Sequence, residues 1–167
     1  YLTCHFNDLT KSSMTPEDIY NYIRVTPNPD KSYIDDLYNV ALNLHNKKDY
    51  ASALKYYTLI KQVDPKREGV YENIALCYAQ QKKYNNAYEC LTEGLAIFPE
   101  NAGMKKLIAN VKKDIDADTM DNAYAAFNAQ NYQKAIQLYS SLPENTDTLL
   151  GIAGAYQGLK QEDKALE

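Results

Sequence analysis

A self-similarity of period 34 constrains this chain more than any other feature, because such a period within 167 residues means stacked supersecondary units in place of one closed domain. Leu37, Val40, Ala41, Leu44, Tyr50, Ala53, Tyr57 and Pro65 are each followed 34 residues later by a residue of the right chemical type. Those partners are Tyr71, Ile74, Ala75, Tyr78, Tyr84, Ala87, Leu91 and Pro99.

Each unit reads as two helices. Leu37, Val40, Ala41 and Leu44 recur at i, i+3, i+4 and i+7, the apolar stripe of an amphipathic helix, and Tyr50, Ala53, Leu54, Tyr57 and Ile60 make a second stripe. Asn46-Lys47-Lys48-Asp49 breaks the rhythm with turn-tolerant residues, and so short a link joins antiparallel neighbours. Ala41 and Ala53 sit where the two axes must come closest. Pro65 then stops the second helix, since proline lacks the N–H and its ring clashes with the preceding turn.

A hairpin of this kind cannot bury its apolar face alone, so about three or more must stack. Ala123, Tyr132, Ala135 and Tyr139 repeat the separations of Ala41, Tyr50, Ala53 and Tyr57, and Ala153, Tyr156 and Ala165 repeat those of Ala41, Leu44 and Ala53. These are a third and a fourth unit. The register breaks twice. Ala75 and Ala123 are 48 residues apart, 14 more than the period, which adds about four helical turns. Met104, Leu107, Ile108, Val111 and Ile115 keep helical spacing through the insert, and no Pro or Gly occurs from Met104 to Leu142. An extra helix, or one long helix running towards Asn128, is expected there. Asn122 falls in an apolar slot of the third unit, and Pro143 cuts that unit's second helix short.

The expected organisation is therefore an N-terminal segment (1–33), a first repeat (34–67), a second (68–101), an inserted helix (102–115), a short third repeat (116–145) and an incomplete fourth (146–167). Within the first segment, Pro16 to Arg24 reads as a short helix capped by Thr15, with Glu17 and Asp18 placed to suit the helix dipole. Thr26-Pro27-Asn28-Pro29-Asp30 is a linker, and Tyr1 to Ser13 show no period. Because the chain starts at Tyr1 and stops inside a helix at Ala165-Leu166-Glu167, a leader, anchor or upstream domain is expected before it and more chain after it.

The proline twelve residues after Ala53 and Ala87, the aromatic three before each and the bulky residue four after resemble the tetratricopeptide repeat family. The likeness runs from about Ile34 to the end, apart from the insert near Ala102 to Ile115, and is most specific in the first two units. Leu37 and Tyr71 stand where Trp is common, and Lys48 and Lys82 where Gly often makes the turn; these slots need only bulk and turn tolerance. The resemblance implies an all-α fold, a right-handed superhelical α-solenoid of antiparallel helix pairs. It also implies that the first helices of successive repeats line a concave groove for a peptide or helix of a partner.

Residues one step beyond each core position lie about 100° further round the helix, so Tyr38, Leu42 and His45 form a stripe beside the core stripe, joined by Asn39, Asn73, Leu76, Tyr124 and Phe127. By the likeness that stripe faces the groove. Its aromatic and aliphatic anchors with amides suit an extended backbone or an amphipathic helix. For Tyr38, Leu42 and Leu76, burial against the neighbouring repeat and ligand contact both stay open. The irregularity near Tyr124 and Phe127 favours packing there, and His45 has no acid, thiol or second His placed to make it a base or ligand. One subgroup of the family grips acidic chaperone C-terminal tails with Lys, Asn and Arg. This chain keeps only Asn73 of that set, with Tyr38, Leu42, Ala117 and Asp121 in the other positions, so no strong preference for a carboxylate tail is expected.

Other functions find little support. Eighteen Lys and Arg against 22 Asp and Glu give a net charge of −4, and no basic stretch interleaved with aromatics would track phosphates, so nucleic acid is not an expected partner. No run of about 18 apolar residues would span a bilayer. Cys4, Cys77 and Cys90 are odd in number without metal-ligand spacing, and the latter two read as buried hydrophobes inside helices. That makes a reducing, cytoplasmic setting the default, with an anchored or envelope-associated full-length protein as the alternative. No phosphate loop, metal cluster or activated nucleophile is present, so no catalytic residue and no cofactor is assigned. The expected function is a protein-interaction scaffold or adaptor whose partner the sequence does not name. The alternative is a repeat segment of a larger envelope, secretion or signalling protein, secretion-chaperone roles included, whose activity lies elsewhere.

Overall fold

Three turns between antiparallel helices share one backbone solution. Lys48, Lys82 and Gln130 have positive φ, at 64°, 58° and 61°. In each, the residue's N–H donates to the carbonyl three before it, and the next N–H donates to the carbonyl five before it, as in Asp49 to Leu44, Lys83 to Tyr78 and Asn131 to Ala126. This is the Schellman closure, which satisfies the last carbonyls of a helix and favours glycine at the left-handed position. The three positions are spaced 34 and then 48 residues apart, so the turns keep the register read from the apolar stripes.

The computed structural model describes residues 13–165, with side chains as far as Lys160. Among these the chain is all-helical: α1 (Pro16–Val25), α2 (Lys31–Asn46), α3 (Tyr50–Val63), α4 (Glu68–Gln80), α5 (Tyr84–Ile97), α6 (Ala102–Asn128), α7 (Tyr132–Ser140) and α8 (Thr146–Ala165). Neighbours in sequence pack as neighbours in space, α2 on α3, α3 on α4, α4 on α5 and α7 on α8, the arrangement of an α-solenoid of antiparallel helix pairs. The insert takes the second of its two expected forms. Its extra turns and the first helix of the third unit are one continuous helix, α6.

Side chains cap most helix starts. Thr15 and Asp18 form a reciprocal capping box on α1. Asp30, Asp49 and Asn131 accept backbone N–H groups at the starts of α2, α3 and α7, while Lys83 at the start of α5 makes no such bond.

Two compact units divide the described residues, one up to Ala109 and the other from Asn110 onward, with the boundary inside α6. In the first, the matched stripes are the core: Leu37, Ala41, Ala53, Tyr57, Tyr71, Ile74, Ala75, Ala87 and Leu91 are all buried. Cys77 and Cys90 are buried free thiols, as expected; Cys4 lies outside the described residues. In the second unit Ala123, Ala126, Ala135 and Ala155 surround one large side chain, Tyr139. Asn122 avoids that core, turning outward to hydrogen-bond the Asp118 carbonyl at 2.8 Å.

The fourth unit departs from the others. Ala155 is its buried small residue, whereas Ala153 and Tyr156 are exposed. In the first repeat the second helix packs on the first, α3 on α2, whereas among the described residues no helix follows α8 to cover it in the same way. The side chain of Ala165, the remaining matched position, lies outside the described residues.

The turns give a measurable expectation. A non-glycine residue in the left-handed region costs roughly 1–2 kcal/mol, partly offset by the larger unfolded freedom of glycine. Lys48→Gly, Lys82→Gly and Gln130→Gly should each raise stability by about 0.5 kcal/mol, read from the urea midpoint, and Gln130→Val should lower it by about 1 kcal/mol.

Candidate partner-binding surface

The stripe expected to face a partner divides between the two units. In the first, α2 carries Tyr38, Asn39, Leu42 and His45, and α4 carries Asn73 and Leu76. Tyr38 is half-buried, and its hydroxyl accepts a hydrogen bond from Asn73 Nδ2 at 2.9 Å. The Arg67 guanidinium lies over the Tyr38 ring at 4.4 Å and is ion-paired with Asp35. His45 is also half-buried, with its ring edge-on to Tyr50 and Nδ1 3.3 Å from the Cys77 sulfur, which corrects the expectation that no thiol stands beside it: Cys77 lies 32 residues away in sequence and packing of α4 on the first repeat brings it there. Burial lowers the pKa of the imidazole and pushes the Cys77 thiol up to about 11, so the pair holds a neutral ring beside a protonated thiol at neutral pH. A thiol so far from ionisation is inert as a nucleophile. Tyr38, Asn73 and His45 therefore fasten α2 to α4. Leu76 is half-buried, while Asn39 and Leu42, 37 % exposed, are open to solvent.

Beneath this face the buried Tyr57 hydroxyl has no hydrogen-bond partner among the described residues, and burial raises its pKa. An unsatisfied buried polar group costs about 1–3 kcal/mol. Tyr57→Phe should therefore stabilise the protein by about 1 kcal/mol, whereas Tyr71→Phe, which removes a 3.0 Å bond to the Pro65 carbonyl, should destabilise it by about as much. Paired thermal melts of the two variants check the opposite signs.

In the second unit, α6 presents Tyr124 and Phe127. Tyr124 is 46 % exposed and stands edge-on to Tyr139 at 5.7 Å. Phe127 is half-buried, edge-on to Tyr132 at 5.6 Å. Together with Asn128, Tyr139, Asp147, Leu150 and Gly151 they line a cleft of about 350 Å³ between the end of α6 and the start of α8. Tyr139 from α7 forms its floor. Gly151 permits this closeness, since a Cβ there would lie 2.6–2.8 Å from the Tyr139 ring. Leu150, 66 % exposed, is the most exposed large hydrophobic side chain among the described residues.

Leu150, Asp147 and Gly151 are cleft residues that the sequence reading did not name, although the signal existed. Leu150 stands three residues before Ala153, as Tyr38 stands three before Ala41. The same offset rule extended to the fourth unit would have found it.

Among the described residues no cluster of three or more His, Cys, Asp or Glu could hold a metal ion, and no helix is long and apolar enough to cross a membrane. Stacked antiparallel pairs presenting their first helices as a side-chain surface define a helical-repeat protein of the solenoid class. Two stretches, residues 34–60 and 69–101, match models of the tetratricopeptide repeat. The chain thus carries tetratricopeptide repeats, a module that is typically non-catalytic and engages other proteins. A 70-residue stretch is also 33 % identical to an N-terminal acetyltransferase A complex subunit-like protein of Schizosaccharomyces pombe. The match covers 42 % of this chain and spans about a tenth of that protein's length.

Proposed function

We propose that this chain is a scaffold or adaptor that holds a peptide or helix of a partner protein against the first helices of its repeats. The observation that carries this reading is the cleft in which Tyr124, Phe127 and Leu150 surround the Tyr139 ring. It pairs aromatic and aliphatic anchors with an amide and a carboxylate, the composition of a surface built for a few strong contacts. In the first unit Leu42 and Asn39 offer a separate surface of the same kind, while Tyr38 and Asn73 act from behind by fixing the helices that bear them. The absence of a Lys, Asn and Arg clamp at Tyr38, Leu42, Ala117 and Asp121 argues against acidic chaperone tails as the occupant.

A second reading is favoured by the relative from Schizosaccharomyces pombe, which is described as like a subunit of the N-terminal acetyltransferase A complex. In that reading the repeats serve as an assembly segment of a larger body whose activity lies outside these helices. Both readings share the surface and differ in the partner.

Affinity capture with the wild type and two double variants tests the surface. Tyr124→Ala plus Leu150→Ala, and Leu42→Ala plus Asn39→Ala, should each fold normally by far-ultraviolet circular dichroism and lose captured partners. Unchanged capture by both would overturn the reading and shift attention to Tyr88 and Ile97, exposed on α5.

A further inference from the structure

Charge around the second-unit cleft is one-sided. From Asp114 to Asp147 the chain has six carboxylates, Asp114, Asp116, Asp118, Asp121, Glu144 and Asp147, against a single lysine, Lys134. Lys134 borders a different cleft, with Ile136 and Tyr156 between α7 and α8. Asp147 lines the Tyr124 cleft itself, one helical turn before Leu150, and no Lys or Arg lines it. Asp121 is exposed one turn before Tyr124 on the same face of α6. It occupies the repeat position held by Asn39, Asn73 and Gly151, the last of which borders the cleft. Asp114 and Asp118 continue that face upstream at i−7 and i−3 from Asp121.

Building on the reading of this surface as a peptide groove, we propose that its occupant is a cationic peptide segment of a partner protein. One apolar side chain enters between Tyr124, Tyr139 and Leu150, and lysines or arginines on either side meet Asp121 and Asp147. An anionic segment is excluded by the same carboxylates, which would face it with no counter-charge in the cleft. The apolar floor gives affinity, and the rim carboxylates give charge selection and faster capture.

Fluorescence anisotropy of the full chain tests this with three short labelled peptides. The first is lysine-rich with one leucine and one phenylalanine, the second has the lysines replaced by glutamates, and the third keeps the lysines but replaces both apolar residues by serine. The first should bind at least about tenfold more tightly than either other, and its affinity should fall several-fold when salt is raised well above physiological strength. Asp121→Asn plus Asp147→Asn should weaken it about fivefold with unchanged thermal stability, and Leu150→Ala by a similar or larger factor.

If the second peptide binds as well as the first and Leu150→Ala weakens both, the groove stands and the cationic preference is wrong. If the third binds as well as the first, and Leu150→Ala changes nothing, the attraction is diffuse and the proposal is wrong. Should no peptide bind while the chain self-associates through Leu150, the cleft is an interface between copies, and both the proposal and the groove reading fail.

Discussion

Tyr139→Ala should remove about 4 kcal/mol of unfolding free energy, the typical cost of truncating a fully buried aromatic. The size follows from the company Tyr139 keeps. Its ring is the only large fully buried member of a cluster otherwise made of Ala123, Ala126, Ala135 and Ala155, and the larger side chains packed around that cluster, Met120, Phe127, Ile136 and Ile152 among them, would have to leave their own places to fill the void. Gly151 is already pressed against the ring, and Tyr124 leans edge-on upon it. Tyr139→Phe keeps the ring and should lose less than about 1 kcal/mol. Urea titration of the two variants by circular dichroism reads the difference. A loss for Tyr139→Ala no larger than that for Tyr139→Phe would mean that the alanine-rich unit is not organised around this ring.

Gly94→Leu should cost about 3 kcal/mol, through overpacking and not through a void. Ile60 holds the equivalent place in the first repeat, 34 residues earlier. In the second repeat the space is taken by neighbours. A Cβ at residue 94 would lie 2.8 Å from the Met104 sulfur and 2.9 Å from both Cβ and Cγ of Tyr71. The sulfur can move, but the Tyr71 Cβ is fixed to its backbone. Even Gly94→Ala should lose about 2 kcal/mol despite the helix-propensity gain of about 1 kcal/mol. Gly103→Ala is the control: its nearest neighbour would be the carboxylate tip of Glu72, which can turn away, so a gain of about 0.5 kcal/mol is expected.

These two sites also mark where the sequence was and was not legible. The 34-residue register foretold the helices because buried positions in a repeat must recur at the same phase, and Leu37, Ala41, Ala53, Ala75 and Ala87 are all fully buried. Gly94 was not foreseen. Its smallness makes sense only beside Tyr71 and Met104, against which a Cβ would lie 2.8–2.9 Å, and such close approaches between packed helices leave no mark on the period. Similarly, the stripe holding Tyr38 and His45 was read from helical phase, which separates core from non-core but does not say which non-core side chains are tied down. The Asn73 bond to Tyr38 and the contact of His45 with Cys77 join different repeats, and only the packed fold reveals them. Tyr124 fits both readings of the sequence at once: it packs edge-on against Tyr139 and still stands 46 % exposed at the cleft, a division that helical phase alone does not give.

The central claim is that first-helix side chains, and not those of second helices, touch the partner. A photo-crosslinking amino acid placed in the living cell at Tyr124, and separately at Tyr88 on α5, tests it most directly. The account expects one discrete adduct, identifiable by mass spectrometry, from position 124 and none from position 88. The same adduct from position 88 alone would contradict it.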